Sequence, residues 1–302
     1  MGMAATQSAT IHAGRRNVRL THPDKELFPG EGITKADLAG YYRDIAETMV
    51  PLVRERPVTL HRFNDGIAGE GFMQKEIPRG APHWVRRVQV RKEGGSVCHA
   101  LANDAATLVW LANQNCITPH VWTSRADRLG TPDRLVFDLD PSRGDEDWPL
   151  VKRTALELGD ILREAGCEPF AMTSGSRGVH VVVPLRRVAS FDRVGDAARA
   201  VADELVLRRP TELTTQFRKN ERLGRLFVDV LRNRWAQTVV APYSVRARPG
   251  APVATPVHWD ELRGDALPSA RRWTLRDVVE RVERGGCPWE GIARAAGALP
   301  RV

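Results

Sequence analysis

Cysteine is sparse in this chain of 302 residues: Cys98, Cys116, Cys167 and Cys287 stand far apart, and no two form a CxxC pair. That argues against a zinc site or a disulfide framework and suits a reducing, cytosolic setting. No apolar run approaches the roughly 20 residues of a membrane span, and the polar start MGMAATQSATIHAG lacks a signal-peptide core. Met1-Gly2 followed by Thr6 satisfies only the loose myristoylation pattern, which so short a match meets by chance. Repeats, low-complexity tracts and a clean linker are missing as well. One compact catalytic unit with two lobes is therefore expected. A mobile tail is expected over 1–14 and a single domain over 15–302, its N-terminal lobe running to about 130 and its core from about 131 onward.

Positive charge is abundant. A formal net charge of +8 points to a polyanionic partner. The excess is concentrated, with eight Lys/Arg between Arg218 and Arg248 against only Glu221 and Asp229. These charges alternate with the strand-like stretches RLFVDV and QTVVAPYSV, which predicts a shaped basic surface rather than a solvated tail.

Local patterns supply the elements. Thr34 with Asp37 predicts a capping box opening a helix through KADLAGYYRDIAETMV, which Pro51 should close. Further helices are expected in DAATLVWLANQN, in VKRTALELGDILREAG up to Gly166, in DRVGDAARAVADELVLRR, and in LRDVVERVER, the last capped by Thr274 with Asp277. Between them RLVFDLD, PFAMTS, VHVVVP, RLFVDV and QTVVAPYSV read as strands. Several are close enough to pair antiparallel, so the expected fold is α+β or α/β with a mixed sheet and surrounding helices.

The chemistry begins at RLVFDLDP. Residues i and i+2 of a strand share a face, so Asp138 and Asp140 lie side by side at its end, which Pro141 fixes. Two ionised carboxylates so placed repel each other, and a hard divalent cation such as Mg²⁺ or Mn²⁺ relieves that repulsion. A DxD alone is a weak signal, because two acids at a solvent-facing strand end look the same. Asp229, one acid inside the apolar segment RLFVDV, is costly to bury unless paired or ligated. Three acids from two strands suit a two-metal site for phosphoryl chemistry. Between them TSGSRGVH offers glycines for close backbone approach, serine donors, and Arg177 and His180 for phosphate oxygens.

FDLDP, TSGSRGVHV and FVDV, in that order, resemble the polymerase domain of the bacterial LigD family of end-joining enzymes, within the archaeo-eukaryotic primase superfamily. The resemblance extends from LTHPDKELFP through APYSVRAR to HWDEL. It implies an α+β primase-polymerase core with an RRM-like sheet and an N-terminal lobe, two Mn²⁺ or Mg²⁺ ions, and extension or fill-in of broken DNA ends with NTPs or dNTPs. By position it implies that Asp138, Asp140 and Asp229 bind the metals, and that Ser174, Arg177, His180, His120, Arg222, Arg246 and Arg248 line the nucleotide and primer channel. Lys25 and Lys35, with His22 beside them, match the pocket for the 5′-phosphate of gapped or overhanging ends, and Phe72 matches a template-stacking position. The family also suggests a Ku-like protein and a separate ATP-dependent DNA ligase as partners, no membrane, and a bacterial cytoplasmic, nucleoid-associated setting.

This sequence departs from the family in places. Arg177 stands where relatives commonly carry lysine, which keeps charge but changes donor geometry. His22 replaces a frequent asparagine, and Phe72-Met73 replaces a pair of aromatics, which weakens one stacking platform. No KxDG ligase motif occurs, which fits a stand-alone polymerase or a piece of a larger enzyme and decides between neither. Two other classes remain: a DxD glycosyltransferase, which has no need of the basic strip or the third acid, and a non-catalytic DNA-end-binding module, which has no reason to keep acids that repel DNA. A metal-dependent nuclease would share the two-metal chemistry but not the triphosphate-suited turn.

Overall fold

The structure, a computed structural model, describes residues 8–301. The chain forms two compact units that do not follow a single cut. The first comprises the chain up to Val121 with Val240–Pro252 and Thr274–Arg284; the second comprises Trp122–Val239, Val253–Trp273 and the chain from Gly285 on.

The second unit is built on a six-stranded sheet in the order Leu213–Thr214, Leu226–Asp229, Arg134–Asp140, Val179–Pro184, Phe170–Thr173, Pro256–Val257. Its four middle strands and the helices Trp148–Glu164 and Phe191–Arg208 follow one another as β-α-β-β-α-β, the RRM-like arrangement expected. Alternation decides the faces. Leu135, Phe137 and Leu139, Val179, Val181 and Val183, and Leu226 and Val228 are buried together with Val151, Leu158 and Leu162 of one helix and Val194, Val201 and Leu205 of the other. Each such side chain contributes about 1.5–3 kcal/mol on burial. A one-residue slip would bury Asp138 and Asp140 instead, so the apolar face also fixes the register that keeps the acids on the opposite face.

The first unit carries a sheet with Cys116–Val121, Pro57–Arg62, Gly95–Leu101 and Arg87–Lys92 as successive neighbours, and Phe72–Gln74 pairs with Pro57–Arg62. The helices Lys35–Asp44, Ala46–Val53 and Ala105–Asn113 and two hairpins, Ser8–Ala13 with Arg16–Thr21 and Glu26–Phe28 with Ile33–Thr34, complete it. Late segments are stitched in by buried hydroxyls. The Tyr41 hydroxyl donates to the Tyr243 carbonyl at 2.7 Å and Thr118 Oγ1 to the Val245 carbonyl at 2.6 Å.

Several expectations hold closely. The Thr34–Asp37 capping box is formed, the acid strand spans Arg134–Asp140, and Gly166 follows the long helix in a left-handed conformation at φ 76°. Others need correction. Pro51 lies inside the helix Ala46–Val53, and the break comes earlier, at Ile45. Pro51 and Glu47 are both exposed, so the proline's missing N–H falls on the outer side of the helix rather than in the core. Of QTVVAPYSV only Val239–Val240 is strand, because Pro242 has no N–H to donate and Tyr243 sits at φ 64°. The last helix begins at Val278, with the Thr274 N–H donating to Asp277 ahead of it. Residues 8–13 are not a tail: they pair in register with 16–21. The remainder of that expected tail, 1–7, and the Met1-Gly2/Thr6 pattern lie outside the described residues. The lobe boundary falls at Val121 rather than about 130, and 240–252 with 274–284, expected in the core, belong to the first unit. Among the described residues no helix is long and apolar enough to cross a membrane.

Candidate active site and phosphate cavity

Antiparallel pairing sets Asp138 directly opposite both His180 and Asp229, so three candidate side chains form one row across three strands. Directly opposed side chains have Cβ atoms about 4.5–5.5 Å apart, close enough for the two carboxylates to repel strongly. Asp229 is buried, at 7% exposure. Burial first, and then the charge of Asp138, push its carboxyl up from its ordinary value, against the opposing effects of the Leu231 N–H and of Arg232. Arginines hold the cluster in this state. Arg232 Nε lies 3.5 Å from Asp138 and 3.6 Å from Asp229. Asp140 receives Arg222 at 3.1 Å and Arg177 at 3.4 Å. His180 Nε2 lies 3.3 Å from Asp138, while its buried Nδ1 has no partner among the described residues.

As arranged, no three acidic, histidine or cysteine side chains among the described residues converge on one metal position. The donor set still fits divalent cations. It offers only hard carboxylate oxygens on one face of a sheet, two of them opposed and one buried, and guanidinium groups now supply the positive charge. Asp138, Asp140 and Asp229 are the residues that would hold such ions.

The turn TSGSRGVH is shaped by its own first serine. Ser174 Oγ accepts from the N–H groups of Gly178 at 3.0 Å and Ser176 at 3.2 Å, and the Ser174 N–H donates to the Gly178 carbonyl at 2.9 Å. The hydroxyl expected to hold phosphate also organises the turn. Ser174→Ala should leave two N–H groups without their acceptor and cost about 1–3 kcal/mol. Urea unfolding checks this, and an unchanged midpoint would mean that the backbone holds the turn unaided. Gly178 is packed against the acid strand, where a Cβ would stand 1.9 Å from the Leu139 carbonyl oxygen.

His120, Arg246 and Arg248 belong to the first unit. There the His120 ring meets His61 edge-on at 6.1 Å. Burial and then the Arg246 charge lower the affinity of His61 for its proton.

The first unit also holds a cavity of about 600 Å³ lined by Thr21, His22, Asp24, Lys25, Lys35, Arg62 and Asn113–Asn115. All three residues assigned to the 5′-phosphate thus meet in one place. Lys35, at the start of its helix, is only 3% exposed. It donates to the carbonyls of Thr21 at 2.9 Å and Asn113 at 3.4 Å. Among the described residues no carboxylate pairs with it, and burial, Lys25 and Arg62 lower its pKa to about 8. A buried ammonium without a counter-ion favours an anion beside it. Lys25 donates to the Asn64 carbonyl and has the exposed Asp65 3.8 Å away. His22 sits at φ 51°, a left-handed conformation in which both asparagine and histidine are enriched, so the departure at this position preserves the backbone path. Phe72 is exposed, with the Arg62 guanidinium 5.4 Å from its ring centre, and Met73 beside it is exposed too.

Arg62, Asn113 and Arg232 were not among the expected site residues. Arg232 was visible only as one charge in a basic stretch, and nothing in the local spacing marks the other two. Asn233, also missed, is fully buried and clamps the turn after Asp229 to the acid strand, accepting from the Val136 N–H at 2.8 Å and donating to the Val136 carbonyl at 2.7 Å.

Comparison with known proteins identifies the family. Residues 34–289 match the family described as LigD, primase-polymerase domain. A multifunctional non-homologous end joining protein LigD from Mycolicibacterium smegmatis is 36% identical over 271 residues, covering 89% of this chain and 35% of that protein. The Pseudomonas aeruginosa protein of the same description is 34% identical over 294 residues, covering 97% and 35%. The chain thus spans about a third of the length of these relatives. Among solved structures, the polymerase domain of Mycobacterium tuberculosis Ligase D in complex with DNA superposes with a TM-score of 0.83 at 32% identity, covering 93% of this chain and 99% of that one.

Proposed function

The chain belongs to the LigD primase-polymerase domain family, and from that membership we propose that it fills gaps and extends overhangs at broken DNA ends with NTPs or dNTPs in bacterial non-homologous end joining. The family is one of metal-dependent, DNA-directed nucleotidyltransferases. The observation that carries the reading is the row Asp229–Asp138–His180, with Asp140 on the same sheet face. Mn²⁺ or Mg²⁺ ions bound to the three acids would polarise an attacking 3′-hydroxyl and neutralise charge on the departing pyrophosphate. The remaining work falls to the chain's own side chains. Ser174 and His180 are assigned to the incoming triphosphate on the resemblance, and His180, 3.3 Å from Asp138, also orients that carboxylate. Arg177 and Arg222, now on Asp140, carry the charge that would hold a triphosphate. His120, Arg246 and Arg248 are assigned to nucleotide and primer on the resemblance, and Phe72 to the template base. A Ku-like protein and a separate ligase are the partners this reading calls for, in a bacterial cytoplasmic setting. A glycosyltransferase or a passive end-binding module is not favoured by the family match. Incubation with 5′-phosphorylated gapped duplex, labelled NTP and Mn²⁺ or Mg²⁺, read on a sequencing gel, tests the proposal, and no extension with either ion would refute it.

The cavity adds a preference for 5′-phosphorylated ends. Charge-assisted bonds from two ammonium groups contribute about 1.5–3 kcal/mol, or about one to two decades in affinity. Lys25→Ala/Lys35→Ala should remove that preference and barely change binding to hydroxyl ends. Lys35 is charged below its pKa of about 8 and loses its proton above it. The preference should therefore be full near pH 7 and shrink as pH rises past 8, the bound phosphate moving the midpoint somewhat upward. Equal affinity of the parent protein for phosphate and hydroxyl ends, titrated at one salt concentration, would remove the pocket.

A further inference from the structure

We propose that the outward face of the N-terminal hairpin is a track for the phosphate backbone of the duplex lying downstream of the 5′-phosphate cavity, an inference whose direction rests on the cavity reading above. The hairpin pairs Ser8–Ala13 with Arg16–Thr21 so that Ser8 faces Thr21, Thr10 faces Arg19 and His12 faces Asn17. Val18 and Leu20 turn inward and are buried, whereas these six side chains lie on the other face. All six are polar and none is acidic. Arg15 adds a further exposed cation at the tip, and no Asp or Glu occurs from Ser8 to Pro23. Among the described residues, neither Arg15 nor Arg19 is paired with a carboxylate. A surface so charged and so free of acids has a repulsive self-energy that an extended anion relieves.

Continuity gives the track its direction. Thr21, at one end of the outward row, lines the cavity, and so does Asn113. Asn113 binds the hairpin in place, accepting from the Thr21 N–H at 2.9 Å and donating to the Arg19 carbonyl at 3.2 Å. At about 3.4 Å per residue, the strand Arg16–Thr21 with Arg15 at its tip spans about 20 Å, or roughly six base pairs at 3.4 Å of duplex axis each. The outward row holds only polar side chains and no apolar one to anchor a peptide, so a polyanion of uniform charge fits it better than an acidic peptide. Arg16, whose guanidinium lies 5.2 Å over the Trp84 ring, is held in place and is left out of the test.

The test measures binding, by fluorescence anisotropy, of 5′-phosphorylated recessed DNA with 4, 10 or 16 base pairs downstream. The parent protein should gain affinity from 4 to 10 base pairs and little thereafter. Arg15→Ala/Arg19→Ala should lose that gain while keeping the parent's ratio between phosphate and hydroxyl ends. Two lost phosphate contacts lower the slope of log affinity on log salt by about 1.8, so raising salt from about 50 to 200 mM should weaken the variant about tenfold less than the parent. Arg15→Lys/Arg19→Lys should restore the slope. An unchanged length dependence and salt slope in the alanine variant would overturn the track. A parent that ignores the 5′-phosphate, yet gains affinity with length only when Arg15 and Arg19 are present, would overturn the cavity and support the track as a duplex contact.

Discussion

Asp138→Asn or Asp229→Asn should cut nucleotide addition by about 10³-fold or more, equivalent to about 4 kcal/mol of lost transition-state stabilisation. DNA affinity should change little, because the cationic surface holds the DNA. Single-turnover primer extension and anisotropy titration on the same preparations separate the two. The same substitutions should make the ion-free protein more stable. Asp229 is buried directly opposite Asp138, and removing one charge relieves both the burial of a carboxylate and the repulsion. For a chain of this size each kcal/mol relieved appears as about 2–4 °C in Tm. A folded variant that extends primers at near-parental rates would sink the metal assignment, and a lower Tm would show that Arg232 already neutralises the pair.

Gly178→Ala should be the most damaging single-methyl change in the second unit. The new Cβ would meet the Leu139 carbonyl oxygen at 1.9 Å. That atom belongs to the backbone of a central strand paired on both sides, so no flexible side chain can move aside. Overpacking of this kind costs about 1–3 kcal/mol and occasionally more; with backbone on both sides the upper end is expected. Leu139 lies between Asp138 and Asp140, so a shift large enough to admit the methyl would also move the acids, and extension should fall with stability. Gly195→Ala is the control. It lies in the helix Phe191–Arg208 with nothing within 4 Å of the new Cβ, and it should stabilise by about 0.5–1 kcal/mol. Urea midpoints of the two variants should move in opposite directions; a Gly178→Ala midpoint within error of the parent would mean that the turn has slack the geometry does not show.

Much of the second unit was legible because its signals are local. Parity in RLVFDLD put Asp138 and Asp140 on one face of their strand, and VHVVVP read as a strand from its β-branched run alone. The Thr34–Asp37 box is likewise a contact between residues three apart. What could not be read depends on partners distant in sequence. Nothing about an asparagine between Arg232 and Arg234 indicates that Asn233 is buried and bonded to Val136. The cavity wall gathers Thr21, Lys35, Arg62 and Asn113 from four separate elements, and only the resemblance singled out Lys35 among them. APYSV was apolar enough to read as strand, but Pro242 and the left-handed Tyr243 turn it into a connector whose role is to present carbonyls to Tyr41 and Thr118.

Those carbonyls bear on how the chain matures during synthesis. The first unit's opening residues leave the ribosome early, yet the acceptors for the Tyr41 and Thr118 hydroxyls lie at Tyr243 and Val245. At about 5–20 residues per second, translating from Val121 to Val245 takes roughly 6–25 s. Throughout that interval the segment bearing Leu38, Met49 and Trp110, all buried in the finished protein, has its sheet and helices but not its closing strap. The second unit waits as well, since Trp289 must arrive before its indole N–H can donate to the Ala171 carbonyl. Neither unit can therefore complete its folding vectorially behind the other. Each closes only on segments translated long after its first strands, so a ribosome stalled in the 240s exposes two unfinished cores at once.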